Sequence, residues 1–136
     1  MSAITITIRQ ISAAASEAEI RQHRVPIDRP EAKGGSDKGP MGGELFLSAI
    51  GGCFMSNLLA GMKARNVEMP GLRTQVTGTL ADNAPARFTA VELFVTADTT
   101  DRATLEHLVE IADRGCIMMN TLRDKFDVRI RLAAPV

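Results

Sequence analysis

Glu44-Leu45-Phe46-Leu47-Ser48-Ala49-Ile50-Gly51-Gly52-Cys53-Phe54-Met55-Ser56-Asn57-Leu58-Leu59-Ala60-Gly61-Met62-Lys63-Ala64-Arg65 is the stretch on which the fold turns. Wound as a helix, it carries apolar residues on every face, so it predicts a central helix around which other elements must pack. Leu45 to Met62 is 18 residues without a charge, the lower limit for a membrane-spanning helix. Ser48, Ser56 and Asn57, with the small Ala49, Gly51, Gly52 and Ala60, dilute that apolarity, and Glu44 and Lys63 bracket it closely. The expectation is a helix buried in protein, with no membrane span.

The flanking sequence supplies strands. Ile4-Thr5-Ile6-Thr7-Ile8 alternates apolar and polar, the period-2 mark of a strand with one buried face, and a weaker strand is expected over Glu19 to Ile27. Asp28 to Met41, around Gly34-Gly35-Ser36-Asp37-Lys38-Gly39-Pro40, reads as a long loop. After the turn at Pro70-Gly71, Leu72 to Leu80 alternates again, and a turn at Asp82-Asn83-Ala84-Pro85 leads into a strand over Phe88 to Ala97, making a hairpin. Asp101 is placed as an N-cap ahead of Leu105, Leu108, Val109 and Ala112 at i, i+3, i+4 and i+7, and Gly115 can end that helix. A short helix from Cys116 to about Lys125 and a last strand over Phe126 to Leu132 follow. No repeat or linker divides residues 1–136, so one α+β domain is expected, an antiparallel sheet wrapped around the long buried helix. So small a sheet cannot cover a helix that is apolar all round, so a second copy of the chain is expected to cover the rest.

Composition narrows the function. Sixteen Lys plus Arg balance sixteen Asp plus Glu, and five Phe stand without Trp or Tyr, so neither a basic stripe nor a stacking platform for nucleic acid is expected. His23 and His107 fall in no metal-binding spacing and read as solvated, which predicts no metal site. The Gly34 to Pro40 loop lacks the spacing of a phosphate-binding loop, and no Gly-x-Ser-x-Gly nucleophile elbow occurs. Two cysteines, Cys53 and Cys116, lie 63 residues apart (116 minus 53) in a chain whose start shows no signal-peptide pattern. A reducing, cytoplasmic compartment follows as the expectation, and there such a pair is two inert core residues or a redox pair.

Each cysteine admits two readings. Gly51 and Gly52 precede Cys53 inside the helix, where each costs about 1 kcal/mol relative to alanine. Close approach of another element explains them, and so does room for a small substrate to reach sulfur; a plain core cysteine is the alternative. Cys116 opens a helix, where free N–H groups and the positive end of the dipole favour a thiolate. Equally, it extends the apolar stripe after Val109 and Ala112. Met55, Met62, Met118 and Met119 read as core filling, with a pocket lining as the other use.

Gly34 to Pro40, then Glu44 through Gly-Gly-Cys53, and later Cys116 ahead of Asn120-Thr121-Leu122, together resemble the OsmC/Ohr family over nearly the whole chain. The resemblance implies an intertwined homodimer with the long helices back to back. It also implies a thiol peroxidase for organic hydroperoxides in oxidative-stress defence, with Cys53 peroxidatic and Cys116 resolving. An external dithiol or lipoyl-type reductant would restore the thiols, and no bound cofactor would be needed. The other reading keeps the fold but makes the chain a non-catalytic protein that binds a small apolar ligand near Cys53.

Departures from the family pattern concern the supporting residues. Glu44 stands nine positions before Cys53, whereas the best-studied branches usually carry that carboxylate at ten. Nine steps of 100° put the two side chains on opposite faces, about 14 Å apart along the axis, so Glu44 cannot touch Cys53 of its own helix. The activating arginine would come from Arg9, Arg21 or Arg24, of which Arg24 is the candidate. Ile117 stands where the family often has proline.

Overall fold

The computed structural model describes residues 1–134 and divides into two compact units, Met1–Phe46 and Leu47–Val136. In the first unit β1 (Thr7–Gln10), β2 (Ser16–Ile20) and β3 (His23–Ile27) form an antiparallel sheet in that order, with Ile8 opposite Ala18 and Ala18 opposite Val25. The segment expected as one strand over Glu19 to Ile27 is therefore two strands around a tight turn. Arg21 takes the positive φ of 52° at that turn, a position usually marked by glycine, so no turn signal was legible there. Pro26 sits in β3, an edge strand, where the missing N–H costs the ladder nothing on its outer side. The first strand also differs from expectation. It starts at Thr7, and instead of one buried face all four of its residues are exposed, as are Ile4 at 92% and Ile6 at 47%.

The loop after β3 is organised by one buried carboxylate. Asp28 is only 3% exposed and accepts hydrogen bonds from the N–H groups of Arg29 (2.7 Å), Ser36 (3.1 Å) and Lys38 (3.1 Å). Its own N–H donates to the Pro40 carbonyl at 3.1 Å. Burial alone would raise the Asp28 pKa, but the three N–H donors and the Lys38 charge hold it below its ordinary value. Gly35 runs so close to Arg29 that a Cβ would lie 2.0 Å from the Arg29 carbonyl oxygen, so only glycine closes this loop.

Helix α1 (Gly42–Ala64) begins in the first unit and continues into the second. Met41 accepts the first intrahelical bond from the Leu45 N–H at 3.0 Å, and Glu44 reaches back to the Met41 N–H at 2.9 Å, half of a capping box. Its length and its mean hydropathy of 1.6 over the most apolar window are those of a membrane-crossing helix, with a third of that window buried within the chain. Within the chain the buried stripe is Ile50, Phe54, Leu58 and Met62 at four-residue spacing, with Gly51 beside it, and the rest of the helix is the part that a second copy was expected to cover. Ala49, Gly52, Ser56, Leu59 and Ala60 on the other side are exposed.

In the second unit β4 (Arg73–Leu80) and β5 (Phe88–Thr96) form the expected hairpin, and β6 (Asp127–Leu132) completes a sheet ordered β4, β5, β6. β6 runs parallel to β5, so the wholly antiparallel sheet of the sequence reading is corrected to two separate three-stranded sheets, one of them mixed. The reason lies in α2 (Arg102–Gly115) and α3 (Ile117–Leu122), which form the crossover that a parallel neighbour requires. Asp101 caps α2 as expected, its Oδ1 accepting from the Thr104 N–H at 3.2 Å, and Leu105, Leu108, Val109 and Ala112 are its buried face. Val91, Leu93 and Val95 alternate inward along β5 and are buried, as are Ile50, Phe54, Leu58 and Leu108, each contributing roughly 1.5–3 kcal/mol.

Candidate thiol site

Cys53 and Cys116 meet. Cys53 lies at the start of the fourth turn of α1, and Cys116 is the single residue that ends α2 and starts α3, with φ −82° and ψ 120°. The Cys116 thiol donates to the Cys53 sulfur, with the two sulfurs 3.2 Å apart and both cysteines free. Cys53 is partly exposed, whereas Cys116 is 0% exposed.

Local sequence explains the approach. An added Cβ on Gly51 would lie 2.6 Å from Cγ2 of Val76 on β4, so the bare glycine lets the helix settle on the sheet two residues before Cys53. Gly52 is different: among the described residues, its own helix backbone and chain neighbours aside, nothing lies within 4 Å of its virtual Cβ. One turn after Cys53, the Asn57 Nδ2 donates to the Cys53 carbonyl at 2.9 Å. Asn57 Oδ1 then lies 3.2 Å from where a Cβ on Gly115 would be. A second glycine thus lets the end of α2 come down on α1 next to Cys116.

The two thiols are unequal. Burial would push the Cys53 pKa up, but the Met118 N–H, the Cys116 thiol and the Ile117 N–H face its sulfur and bring it below the ordinary 9.0. For Cys116 burial dominates and raises the pKa; the Met119 N–H opposes this, and the neighbouring Cys53 adds to it. The pair therefore ionises first at Cys53, with the proton kept on Cys116. A partly exposed thiolate in contact with a protonated, buried thiol can attack an electrophile from solvent and then be attacked by its neighbour. Closing 3.2 Å to a disulfide bond of about 2.04 Å needs a movement of about 1 Å.

The remaining sequence candidates have other partners. Glu44 serves the N-terminus of α1 through the Met41 N–H. Arg24, on β3, has its Nε 3.7 Å from Glu17 and donates to the His23 carbonyl at 3.3 Å, while Arg9 holds Glu17 and Glu19 at 2.7 Å each. Arg21 forms the β2–β3 turn. Among the described residues no cluster of three or more His, Cys, Asp or Glu could hold a metal. Sequence reasoning gave Asn57 and Asn120 no role at the site, yet each stands four positions after a cysteine, the helical spacing that would have found them.

Comparison with known proteins identifies the fold and the family. No curated protein matches the chain. Among solved structures, an OsmC-like protein of unknown function from Vibrio cholerae superposes with a TM-score of 0.77 at 15% identity, covering 98% of this chain and 100% of the other. An organic hydroperoxide resistance protein OsmC from Legionella pneumophila gives 0.73 at 17% identity over 98% and 100% of the two chains. The organic hydroperoxide resistance protein OhrB of Bacillus subtilis gives 0.71 at 22% identity, covering 97% and 98%. At these identities the likeness establishes the fold. The family model described as OsmC-like protein matches residues 35–131, which takes in both cysteines, and the chain belongs to that family.

Proposed function

We propose that this protein is a thiol-dependent peroxidase that reduces organic hydroperoxides. The observation that carries the proposal is the pair of sulfurs 3.2 Å apart, with the partly exposed Cys53 favoured as thiolate and the buried Cys116 as thiol. The Cys53 thiolate attacks the outer oxygen of the hydroperoxide; the O–O bond breaks, the alkoxide leaves and takes up a proton as the alcohol, and Cys53 becomes a sulfenic acid. Cys116 then attacks the Cys53 sulfur, water leaves, and a disulfide forms. An external dithiol, such as a lipoyl-type reductant, gives up two electrons and two protons to restore both thiols. The likeness to solved organic hydroperoxide resistance proteins supports this class of substrate. A cytoplasmic setting, where thiols are kept reduced, suits the cycle.

A homodimer belongs to the same proposal. Ile8 at 51%, Leu59 at 51% and Ile4 at 92% exposure leave apolar surface on β1, on α1 and ahead of β1 that a second copy would cover. Sedimentation at micromolar concentration should give twice the chain mass; a monomer there overturns the dimer.

The activity is tested by mixing reduced protein with cumene hydroperoxide and a dithiol and comparing wild type, Cys53→Ser and Cys116→Ser. Turnover should vanish in Cys53→Ser, and a sulfenic acid should be trappable in Cys116→Ser. If wild type shows no turnover and both thiols stay free after peroxide, the proposal fails. In the same assay Arg24→Ala and Glu44→Gln ask whether either residue activates the thiolate, as a loss of peroxide rate at unchanged stability.

A further inference from the structure

The corner that carries Cys116 is fastened by side chains that play no part in the peroxide chemistry. The last carbonyls of α2 have no intrahelical partners, and α3 takes them. Arg123, the residue that ends α3, folds its guanidinium back onto α2: Nη2 donates to the Asp113 carbonyl at 3.3 Å, to Asp113 Oδ1 at 3.0 Å and to Asn120 Oδ1 at 3.0 Å. Asn120 in turn donates through Nδ2 to the Arg114 carbonyl at 2.9 Å, and its N–H bonds the Cys116 carbonyl at 2.9 Å. The Cys116 N–H also returns to the Asp113 carbonyl, at 3.3 Å. Every residue from Asp113 to Cys116 except Gly115 is thus tied to α3 or to the corner itself, and Gly115 rests beside Asn57 of α1.

We propose that Arg123 and Asn120 are positioning residues for the thiol pair: by fastening α3 to the end of α2 they hold the Cys116 sulfur, and the Ile117 and Met118 N–H groups, against Cys53. The inference rests on the peroxidase reading for its purpose but on these bonds for its geometry. A six-residue helix has little stability of its own, so without the fastening the α3 N–H groups would not keep a fixed direction. Both the thiolate character of Cys53 and the approach of the second sulfur depend on that direction. An Arg–Asp pair whose side chains are 44% and 29% exposed would by itself add little to stability, so its use lies in alignment.

The test needs no hydroperoxide, so it stays distinct from the fate of the peroxidase reading. The pH midpoint of Cys53 alkylation by iodoacetamide is measured in the Cys116→Ser background. The rate of Cys53–Cys116 disulfide closure is measured with diamide, which takes up the two electrons and two protons released. Arg123→Met should move the alkylation midpoint up toward 9.0 and slow closure roughly 10- to 100-fold, with far-UV circular dichroism unchanged. Arg123→Lys should recover part of the loss, since it keeps the charge beside Asp113 but not the planar guanidinium whose Nη2 reaches both Asp113 and Asn120. Asn120→Ala removes both the bond to Arg114 and the acceptor for Arg123 without adding charge; it should shift midpoint and closure rate in the same direction, and it carries the test if Arg123→Met does not fold. Unchanged midpoint and closure rate in the folded variants would overturn the inference.

Discussion

Alanine at Gly51 sets two known effects against each other. A Cβ there would stand 2.6 Å from Val76 Cγ2, against an ordinary carbon–carbon contact of about 3.5–4.0 Å, so helix and strand must part by about 1 Å or Val76 must turn. Val76 cannot turn cheaply, because a β-branched residue on a strand has a stiff χ1, and its cross-strand partner Leu93 is 0% exposed. Overpacking of this kind costs about 1–3 kcal/mol, while replacing glycine inside a helix gains about 1 kcal/mol. The expected net loss is up to about 2 kcal/mol, a fall of a few degrees in Tm for a chain of this length. Adding Val76→Ala removes the clashing methyl, so the double variant should be more stable than the sum of the single losses predicts, by about 1 kcal/mol. Urea unfolding of the reduced proteins, followed by circular dichroism at one fixed protein concentration, measures all four corners of the cycle. A Gly51→Ala protein more stable than wild type, or strictly additive losses across the cycle, would refute the close approach of α1 and β4.

Iodoacetamide should modify Cys53 before Cys116, with a midpoint below 9.0, since a lowered pKa increases the thiolate fraction at neutral pH; faster labelling of Cys116 would contradict the assignment. Gly115→Ala places a Cβ 3.2 Å from Asn57 Oδ1 and should slow diamide-driven disulfide closure severalfold, and Asn57→Ala in the same chain should restore much of the rate. Asp28 has a folded pKa below its ordinary 3.8, so its contribution to stability is fully present above that value and is lost as pH falls through the folded pKa. Denaturant unfolding between pH 5 and pH 2 should therefore show a steeper acid loss in wild type than in Asp28→Asn, and parallel curves would exclude the role given to this carboxylate.

Patterns confined to one element were legible. The period-2 runs read at Leu72 to Leu80 and Phe88 to Ala97 are strands to within a residue, and the Asp101 cap and the four-residue stripe of α2 stand where the sequence puts them. The turn inside Glu19 to Ile27 was hidden because Arg21 occupies a left-handed position without glycine. The direction of β6 was hidden because alternation states which residues face the core, and a strand alternates identically whether its neighbour runs parallel or antiparallel. Within the chain Glu44 accepts from the Met41 N–H and Arg24 lies beside Glu17 in its own sheet, and their part in activating the thiolate is what the Arg24→Ala and Glu44→Gln assay decides.

The sequence by itself determined the family, the helix that carries Cys53 and the place of Cys116 between two helices, because these depend on local periodicity, caps and a motif with two cysteines at set positions. That the sulfurs stand 3.2 Å apart and ionise unequally was decided by tertiary structure alone. Sulfur separation depends on how closely α1 approaches β4 at Gly51 and the end of α2 at Gly115, and thiol acidity depends on N–H groups that another helix brings to Cys53. Neither quantity is a property of residues adjacent in the chain, so neither leaves a period or a spacing to read.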